Sequence, residues 1–180
     1  MKLLIASDVH GCAAAMRALE ARICSEMPDR IILLGDILYH GPRNDLPSGY
    51  APKEVAAILN SMADRLVCVR GNCDSEVDQM VLDFPCRADY VLIEVDGRLL
   101  YLTHGHVAHM TPDSPPVLTV GSAFLFGHTH IKTLHEREGI LFVNPGSISL
   151  PKDGTASYAT YENNVFTLKT LDGTVLCTHS

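Results

Sequence analysis

One short stretch, residues 31–36, constrains the fold of this chain more than any other. It contains four large apolar residues, Ile-Ile-Leu-Leu, followed by Gly35 and Asp36. Such a run predicts a strand that is buried on both faces of a sheet. Gly35 permits a tight turn, and Asp36 then stands at the carboxyl end of the strand, where open α/β sheets place their chemistry. We therefore expect the Asp36 carboxylate to lie in a functional site.

The same arrangement, an apolar run followed by polar residues that can bind a metal, occurs at four other places. The runs 3–7, 66–69, 99–103 and 123–127 each predict a strand. The polar residues that follow these runs are Asp8 and His10, Asn72, His104 and His106, and His128 and His130. An aspartate in such a position often only caps the next helix. Five coincidences with predicted strand ends nevertheless favour one shared site.

The donor groups of this set are carboxylates, imidazoles and an amide, and no thiolate is required. Such a mixture suits Mn²⁺, Fe²⁺ or Zn²⁺. We expect Asp36 to bridge two metal ions, because a shared carboxylate holds them roughly 3.5–4 Å apart, the separation used for in-line displacement at phosphorus.

The segment between the first two predicted strands indicates a helix. Apolar residues spaced three and four apart run through 12–27, and we expect Met16 and Met27 to fill the core. Strand, helix and strand together form a βαβ unit, so the sheet begins parallel. Pro52 opens a second predicted helix.

The second half of the chain favours antiparallel pairing. Asp96-Gly97 and Asn163-Asn164 each lie between two strand-like runs and predict hairpin turns. The stretch 107–122 contains several prolines and predicts a loop with at most a short helix. The sequence therefore predicts an α/β fold with mixed sheets, in a single domain spanning 1–180.

Composition narrows the classes of partner. The net charge is −7 and no run of Lys or Arg occurs, so we expect no extended nucleic-acid surface and no membrane partner. The six cysteines form no CxxC pair, which argues against a disulfide framework or a structural zinc site. No signal-type segment follows Met1, and we expect a cytoplasmic protein. Formation of a homo-oligomer is an open alternative.

The loop that follows Asp36 supplies candidate substrate-binding residues. Residues 37–50 are rich in proline and glycine, and they include His40, Arg43 and Asn44. A loop directly after the expected bridging carboxylate is well placed to contact a substrate. Ordinary solvated polarity is an equally open alternative for these side chains.

Taken in order, the motifs resemble the calcineurin-like metallophosphoesterase superfamily, whose pattern is D-x-H, G-D, G-N-[HC]-[DE], H and G-H-x-H. The resemblance spans Asp8 to His130 and extends to the Asn-Pro-Gly-Ser segment at 144–147. Within the superfamily, the chain is similar to the small bacterial YfcE-like phosphodiesterases, in which Gly-Asn-Cys-Asp replaces the commoner Gly-Asn-His. As a combined pattern these motifs are highly specific.

The resemblance implies a fold and a metal site. The fold would be a four-layer α-β-β-α sandwich, in which two mixed sheets are flanked by helices. Two divalent ions are implied, and we expect Mn²⁺, with Fe²⁺, Zn²⁺ or Mg²⁺ as alternatives. Asp36 would bridge the ions. The remaining ligands implied are Asp8, His10 and His130 for the first ion, and Asn72, His104 and His128 for the second.

The implied activity is hydrolysis of a small-molecule phosphodiester by in-line attack of a water or hydroxide that bridges the metals. The metals and Asn72 would stabilise charge on the phosphoryl oxygens. The alternatives are a phosphomonoesterase or nucleotide pyrophosphohydrolase on the same metal centre. A non-catalytic scaffold, as in the retromer subunit of this fold, is an alternative of a different class.

Cys73 departs from the commoner pattern of the superfamily. Many relatives place there a histidine that protonates the leaving oxygen, whereas a free thiol has a reference pKa of ~8.5 and is a weaker donor at neutral pH. We therefore expect diesters with acidic leaving groups, such as aryl esters, to react best. His106 or Asp74 are the residues that would partly replace the missing acid.

Overall fold

The computed structural model describes all 180 residues of the chain. Its strands are β1 (Leu3–Ala6), β2 (Arg30–Leu33), β3 (Leu66–Cys68), β4 (Tyr90–Val95), β5 (Arg98–Thr103), β6 (Ala123–Leu125), β7 (Thr133–Arg137), β8 (Ile140–Asn144), β9 (Ser157–Glu162), β10 (Val165–Thr170) and β11 (Val175–His179). Its helices are α1 (Ala13–Glu26), α2 (Pro52–Asn60) and α3 (Glu76–Gln79), with a 3₁₀ turn at Ala63–Arg65.

The strands form two sheets, and both are mixed. The first has six strands in the order β11-β10-β9-β1-β2-β3, and its β1, β2 and β3 run parallel. The second has five strands in the order β4-β5-β6-β8-β7, and its β5, β6 and β8 run parallel. The predicted α/β fold with two mixed sheets is therefore confirmed.

Successive apolar side chains along β1 and β2 point to opposite faces of the first sheet, so both faces of the sheet are packed. Ile5 and Ile32 belong to the core between the sheets, together with Leu100 of β5 and Leu125 of β6. The next residues along the strands point to the other face and pack against Met16 and other apolar residues of α1 and α2. This double burial explains why the predicted strands read as continuous apolar runs.

The outer face of the second sheet is covered by a loop. Tyr101, Phe124 and Phe142 form an aromatic cluster there, and Met110 and Leu118 of the 107–122 loop pack against it. All helices of the chain precede β4, so this loop takes the place of the outer helical layer that was expected on that side.

Both predicted hairpin turns and both predicted helices are present, with one correction. Met16 is fully buried as expected, but Met27 is 78% exposed. The reason is that α1 ends at Glu26 and the backbone of Met27 turns into the left-handed region, with φ of 49°. The prediction that Met27 fills the core was wrong. Every helix is too short or too polar to cross a bilayer.

Candidate metal centre

The two parallel strand sets end at the same edge of the molecule, where the polar strand-end residues meet. The loops after β1, β2 and β3 of the first sheet face the loops after β5 and β6 of the second. The structure thereby brings together the residues predicted as ligands, Asp8, His10, Asp36, Asn72, His104, His128 and His130.

One group of donor atoms surrounds Asp8. Its Oδ1 lies 3.2 Å from His130 Nε2 and 3.7 Å from His10 Nε2. The two imidazole Nε2 atoms are 3.2 Å apart. Asp8 Oδ1 is buried and has no hydrogen-bond partner. An orphaned carboxylate oxygen in the interior is costly unless a cation is bound to it.

A second group surrounds His104. Its Nε2 lies 3.4 Å from Asp36 Oδ2 and 3.1 Å from Asn72 Oδ1. Asp36 Oδ2 is also 3.7 Å from His10 Nε2, so this carboxylate lies between the two groups. The His128 ring packs beside His104, with 5.1 Å between ring centroids.

The tautomers of three histidines are set by backbone carbonyls. The Nδ1 atoms of His10, His104 and His130 lie 3.0, 2.6 and 2.7 Å from the carbonyl oxygens of Tyr39, Leu34 and Leu150. A carbonyl can only accept, so each Nδ1 carries a proton and each Nε2 is left to bind either a proton or a metal ion in the cluster. The Nε2 atoms and the carboxylates face one another closely, and a metal ion that replaces the Nε2 protons would compensate the carboxylates. The residues therefore fit divalent metal ions.

The neighbouring histidines favour the charged form of the buried carboxylates of Asp8 and Asp36. Burial opposes the charge on Asp36 and on His104, but their contact with each other outweighs it. The pKa of Asp36 accordingly falls below its usual range, and the pKa of His104 rises to about 9. Burial also opposes the charge on Asp8, yet His130 and His104 hold the pKa of Asp8 low. Negative charge thus persists at the centre of the cluster.

The backbone at the site adopts conformations that non-glycine residues rarely use. Five residues have φ between 48° and 66°, namely Asp8, His10, Asp36, His128 and His130. Left-handed φ values outside glycine are costly and cluster at functional sites. The loops after β2 and β3 are also in backbone contact: a Cβ on Gly71 would lie 2.1 Å from Asp36 Oδ1. Only glycine fits there.

The sequence analysis missed a set of hydrogen bonds to Asp74, called the Asp74 brace below, that holds the loop after β2 against the loop after β3. The Asp74 carboxylate accepts hydrogen bonds from the backbone N–H groups of Asp36 (2.8 Å), Ile37 (2.8 Å) and Gly71 (2.7 Å). Burial raises the pKa of Asp74 to about 6, against the effect of these donors. Asp74 does not line the cavity described below, so it positions Asp36. The sequence feature that could have indicated this role is the position of Asp74 at the end of the Gly-Asn-Cys-Asp motif that contains Asn72.

Two serines that follow β8 also support the site. The hydroxyls of Ser147 and Ser149 donate to the backbone carbonyl of Asp8 at 2.7 and 2.9 Å. These serines belong to a sixth strand end of the same type as the other five. That position is the signal that would have found them.

A cavity of about 450 Å³ opens beside the metal-ligand cluster. Among the predicted substrate-binding residues, Arg43 and Asn44 line it, together with Cys73. His40 is not part of the lining, because its ring packs edge-on between Tyr39 and Tyr50.

Two of the residues considered as leaving-group acids, Cys73 and His106, differ in placement. Cys73 lines the cavity, and burial and the charge of Asp36 raise the pKa of its thiol to about 12. His106 lies outside the lining, with 5.2 Å between its ring centroid and that of His104. Burial and the charge of His104 lower the pKa of His106 to about 4. At neutral pH the thiol is protonated and the His106 ring is uncharged.

Carboxylates and imidazoles at the ends of two facing mixed sheets define a metal-dependent hydrolase. Residues 1–164 match the calcineurin-like phosphoesterase superfamily domain, and the chain belongs to this family. The family implies divalent metal ions as cofactors. The resemblance inferred from the motifs is thereby confirmed.

Individual relatives agree with the family. The chain is 43% identical to phosphodiesterase YfcE of Escherichia coli (strain K12) over 173 residues, which cover 96% of this chain and 93% of that protein. It is 29% identical over 183 residues to the probable metallophosphoesterase YsnB of Bacillus subtilis (strain 168), covering 96% and 91%. The solved structure of YfcE, a phosphoesterase from E. coli, superposes with a TM-score of 0.95 at 41% identity, covering 99% of this chain and 98% of that one.

Proposed function

We propose that this chain is a metal-dependent phosphodiesterase that acts on a small-molecule substrate in the cavity beside the cluster. The observation that carries this proposal is the convergence of three imidazole Nε2 atoms and two charged carboxylates next to a polar cavity. The 43% identity to a phosphodiesterase over nearly the whole chain supports the diester as substrate class.

The residues divide into two ligand groups with one shared member. Asp8, His10 and His130 would hold the first ion and His104, Asn72 and His128 the second, while Asp36 would be the shared ligand. When bound, two divalent ions, with Mn²⁺ as the expected species, act as Lewis acids at the phosphoryl group and lower the pKa of the attacking water.

The chain contributes orientation and charge. Carbonyl acceptors fix the imidazole rings, and the Asp74 brace holds Asp36 against the loop that carries Asn72. The amide of Asn72 stands at the edge of the cavity, where it stabilises charge that develops on a phosphoryl oxygen. The Cys73 thiol stays neutral beside Asp36, which avoids a further negative charge next to an anionic substrate.

Metal-stripped protein reconstituted with Mn²⁺, Fe²⁺, Zn²⁺ or Mg²⁺ tests this function. We expect bis(p-nitrophenyl) phosphate to be hydrolysed with a higher kcat/KM than p-nitrophenyl phosphate or a dinucleoside pyrophosphate. A preference for the monoester or the pyrophosphate would replace the proposal by that activity. Absence of metal-dependent turnover on all three would favour a scaffold.

A variant of the shared carboxylate tests the metal centre itself. Asp36→Asn removes the charge that lies between the two ligand groups, and we expect loss of bound metal and a fall in kcat/KM of at least about 10²-fold. Metal content by mass spectrometry and turnover are the two measurements. Asp64→Asn, at an exposed acid outside the site, is the matched control. Unchanged metal content in Asp36→Asn would contradict the assignment.

A further inference from the structure

Two positively charged side chains, Arg43 and Lys152, line the cavity beside the metal-ligand cluster. They belong to different loops, one after Asp36 and the other after β8. Both residues are exposed, and neither forms an ion pair with a carboxylate. The only carboxylate in the lining is Asp36, at the metal-ligand cluster, so two cations without an ion-pair partner stand out here in a chain whose net charge is −7.

The loop that carries Lys152 is fixed, although the side chain itself is free. Lys152 N donates to the His130 carbonyl at 3.0 Å. The adjacent acid, Asp153, binds Lys132 instead, through Lys132 Nζ at 2.5 Å and Lys132 N at 2.7 Å. The carboxylate closest in sequence is therefore occupied, and the charge of Lys152 is left for the cavity.

Both cations lie beside the histidines of the cluster, because Arg43 and Lys152 line the same cavity as His128 and His130. A molecule bound in this cavity at the cluster therefore lies close to both positive charges.

The charge and polarity of the cavity indicate what it accepts. One of its eleven lining residues is hydrophobic, so an apolar ester arm gains little contact there. A phosphodiester carries a single negative charge, which the metal centre already attracts. The two cations beyond the centre thus match a further anionic group on the same substrate.

We propose that Lys152 and Arg43 form a second anion subsite, and that the substrate is a phosphodiester whose retained arm carries a carboxylate or phosphoryl group. This inference rests on the proposed function. It adds Lys152 as a residue that determines specificity and does not take part in the chemical step.

Three p-nitrophenyl diesters with the same leaving group test the subsite on the Mn²⁺-loaded enzyme. Their retained arms are carboxyethyl, phosphonoethyl and the uncharged isopentyl. We expect the KM of the wild-type enzyme to be about tenfold lower for the anionic arms. The preference should decrease as salt is added, because the pairing is exposed to solvent. The two anionic arms distinguish a carboxylate from a phosphoryl group as the natural partner.

Charge variants separate this role from a structural one. In Lys152→Gln the tenfold preference in KM should fall to about threefold, because Arg43 remains, whereas Lys152→Arg should retain it. Lys53→Gln, at an exposed lysine outside this cavity, is the matched control and should keep the preference. Equal KM values for charged and uncharged arms in the wild type would overturn the inference. An equal fall in kcat for all arms in Lys152→Gln would also overturn it, because it would assign the lysine to the reacting phosphoryl group.

Binding without turnover keeps the subsite testable if diester hydrolysis fails. Calorimetry with the non-hydrolysable carboxyethyl methylphosphonate should give a Kd about threefold lower for the wild type than for Lys152→Gln. Equal affinities would exclude the subsite. Absence of hydrolysis together with this difference in binding would refute the proposed function and leave the subsite standing.

Discussion

At the scale of single residues, Cys73 separates this chain from relatives that carry a histidine at the same motif position. The thiol lies at the cavity, and Asn72 Nδ2 donates to its sulfur at 3.2 Å. Because burial and Asp36 raise the pKa of the thiol to about 12, it is a poor proton donor to a leaving oxygen at neutral pH. Leaving-group protonation should therefore limit the range of substrates.

Replacing the thiol by an acid with a lower pKa tests this limit. In Cys73→His we expect kcat/KM to depend less steeply on the pKa of the leaving group, with alkyl diesters gaining up to ~10²-fold and aryl diesters little. A series of diesters with graded leaving groups gives the measurement. Cys73→Ser is the control of similar size. An unchanged slope in Cys73→His would show that residue 73 has no part in leaving-group protonation.

At the scale of elements, the site depends on how strand ends are held against one another. Asp74 links the loop after β2 to the loop after β3 through three backbone N–H groups. The α3 helix begins directly after it, with a capping box in which Asp78 accepts from Ser75 N at 2.5 Å. Asp74 and Asp78 therefore offer a comparison between a brace at the site and an ordinary helix cap.

Asp74→Asn should lower both stability and metal affinity. An amide places an N–H group against at least one backbone N–H, and we expect the free energy of unfolding to fall by about 2–4 kcal/mol. Metal affinity should fall by about 10–100-fold, because Asp36 loses its support. Urea unfolding and Mn²⁺ titration measure the two effects. Asp78→Asn should cost about 1 kcal/mol and leave the affinity unchanged. Wild-type Mn²⁺ affinity in Asp74→Asn would reduce the brace to a purely structural role.

The sequence predicted the elements in which the buried residues form a regular apolar pattern along the chain. Doubly buried β1 and β2 gave continuous apolar runs, and the turn dipeptides marked both hairpins. The sequence analysis missed β7 and β11 because both lie at sheet edges, where most of their side chains are exposed and burial leaves no pattern.

The predicted ligands were visible because each follows a predicted strand. Lys152 was not, since its position beside the site comes from one backbone contact with His130, which no local motif records. Asp74 lay next to a recognised motif, yet its three acceptor contacts join loops that are distant in sequence. Long-range contacts of this kind require the folded chain.

At the scale of the whole molecule, one carboxylate ties α1 to the first sheet. Glu26 lies at the end of α1, and Lys2 Nζ and Lys169 Nζ approach its carboxylate at 2.8 and 2.6 Å. The Tyr158 hydroxyl donates to it at 2.9 Å. Burial raises the pKa of this carboxylate, but the two lysines and the tyrosine outweigh burial and lower it to about 2.

This shift predicts the pH dependence of stability. Because the pKa of folded Glu26 lies below its unfolded value, its contribution is complete above about pH 4.5 and is lost as pH falls toward 2. After allowance for solvent screening, Glu26→Gln should be about 1 kcal/mol less stable than the wild type at pH 7. The difference should shrink at pH 3. Urea unfolding of both proteins at the two pH values is the measurement, and a constant difference would contradict the assignment.

The proposed metal centre lies between the two sheets, and we expect it to contribute to global stability. Asp8, Asp36 and Asn72 follow strands of the first sheet, whereas His104 and His130 follow strands of the second. Ions that bind only the folded chain stabilise it by mass action, by about 2.7 kcal/mol at a concentration 100 times Kd. Their removal would also take away the positive charge that compensates the buried carboxylates.

Chelation should therefore lower Tm by roughly 5–10 °C, a shift scaled from about 2–4 °C per kcal/mol for a chain of this size, and added Mn²⁺ should restore it. Hydrogen exchange should become faster after chelation at the ends of β1, β2, β5 and β6, and should stay unchanged at the distant Asp96-Gly97 turn. Asp36→Asn provides the internal control, because a chain that has lost the shared ligand should show a smaller shift. Equal shifts in the two proteins would mean that the stabilising metal binds elsewhere. Faster exchange confined to one sheet would refute the idea that the ions hold the sheets together.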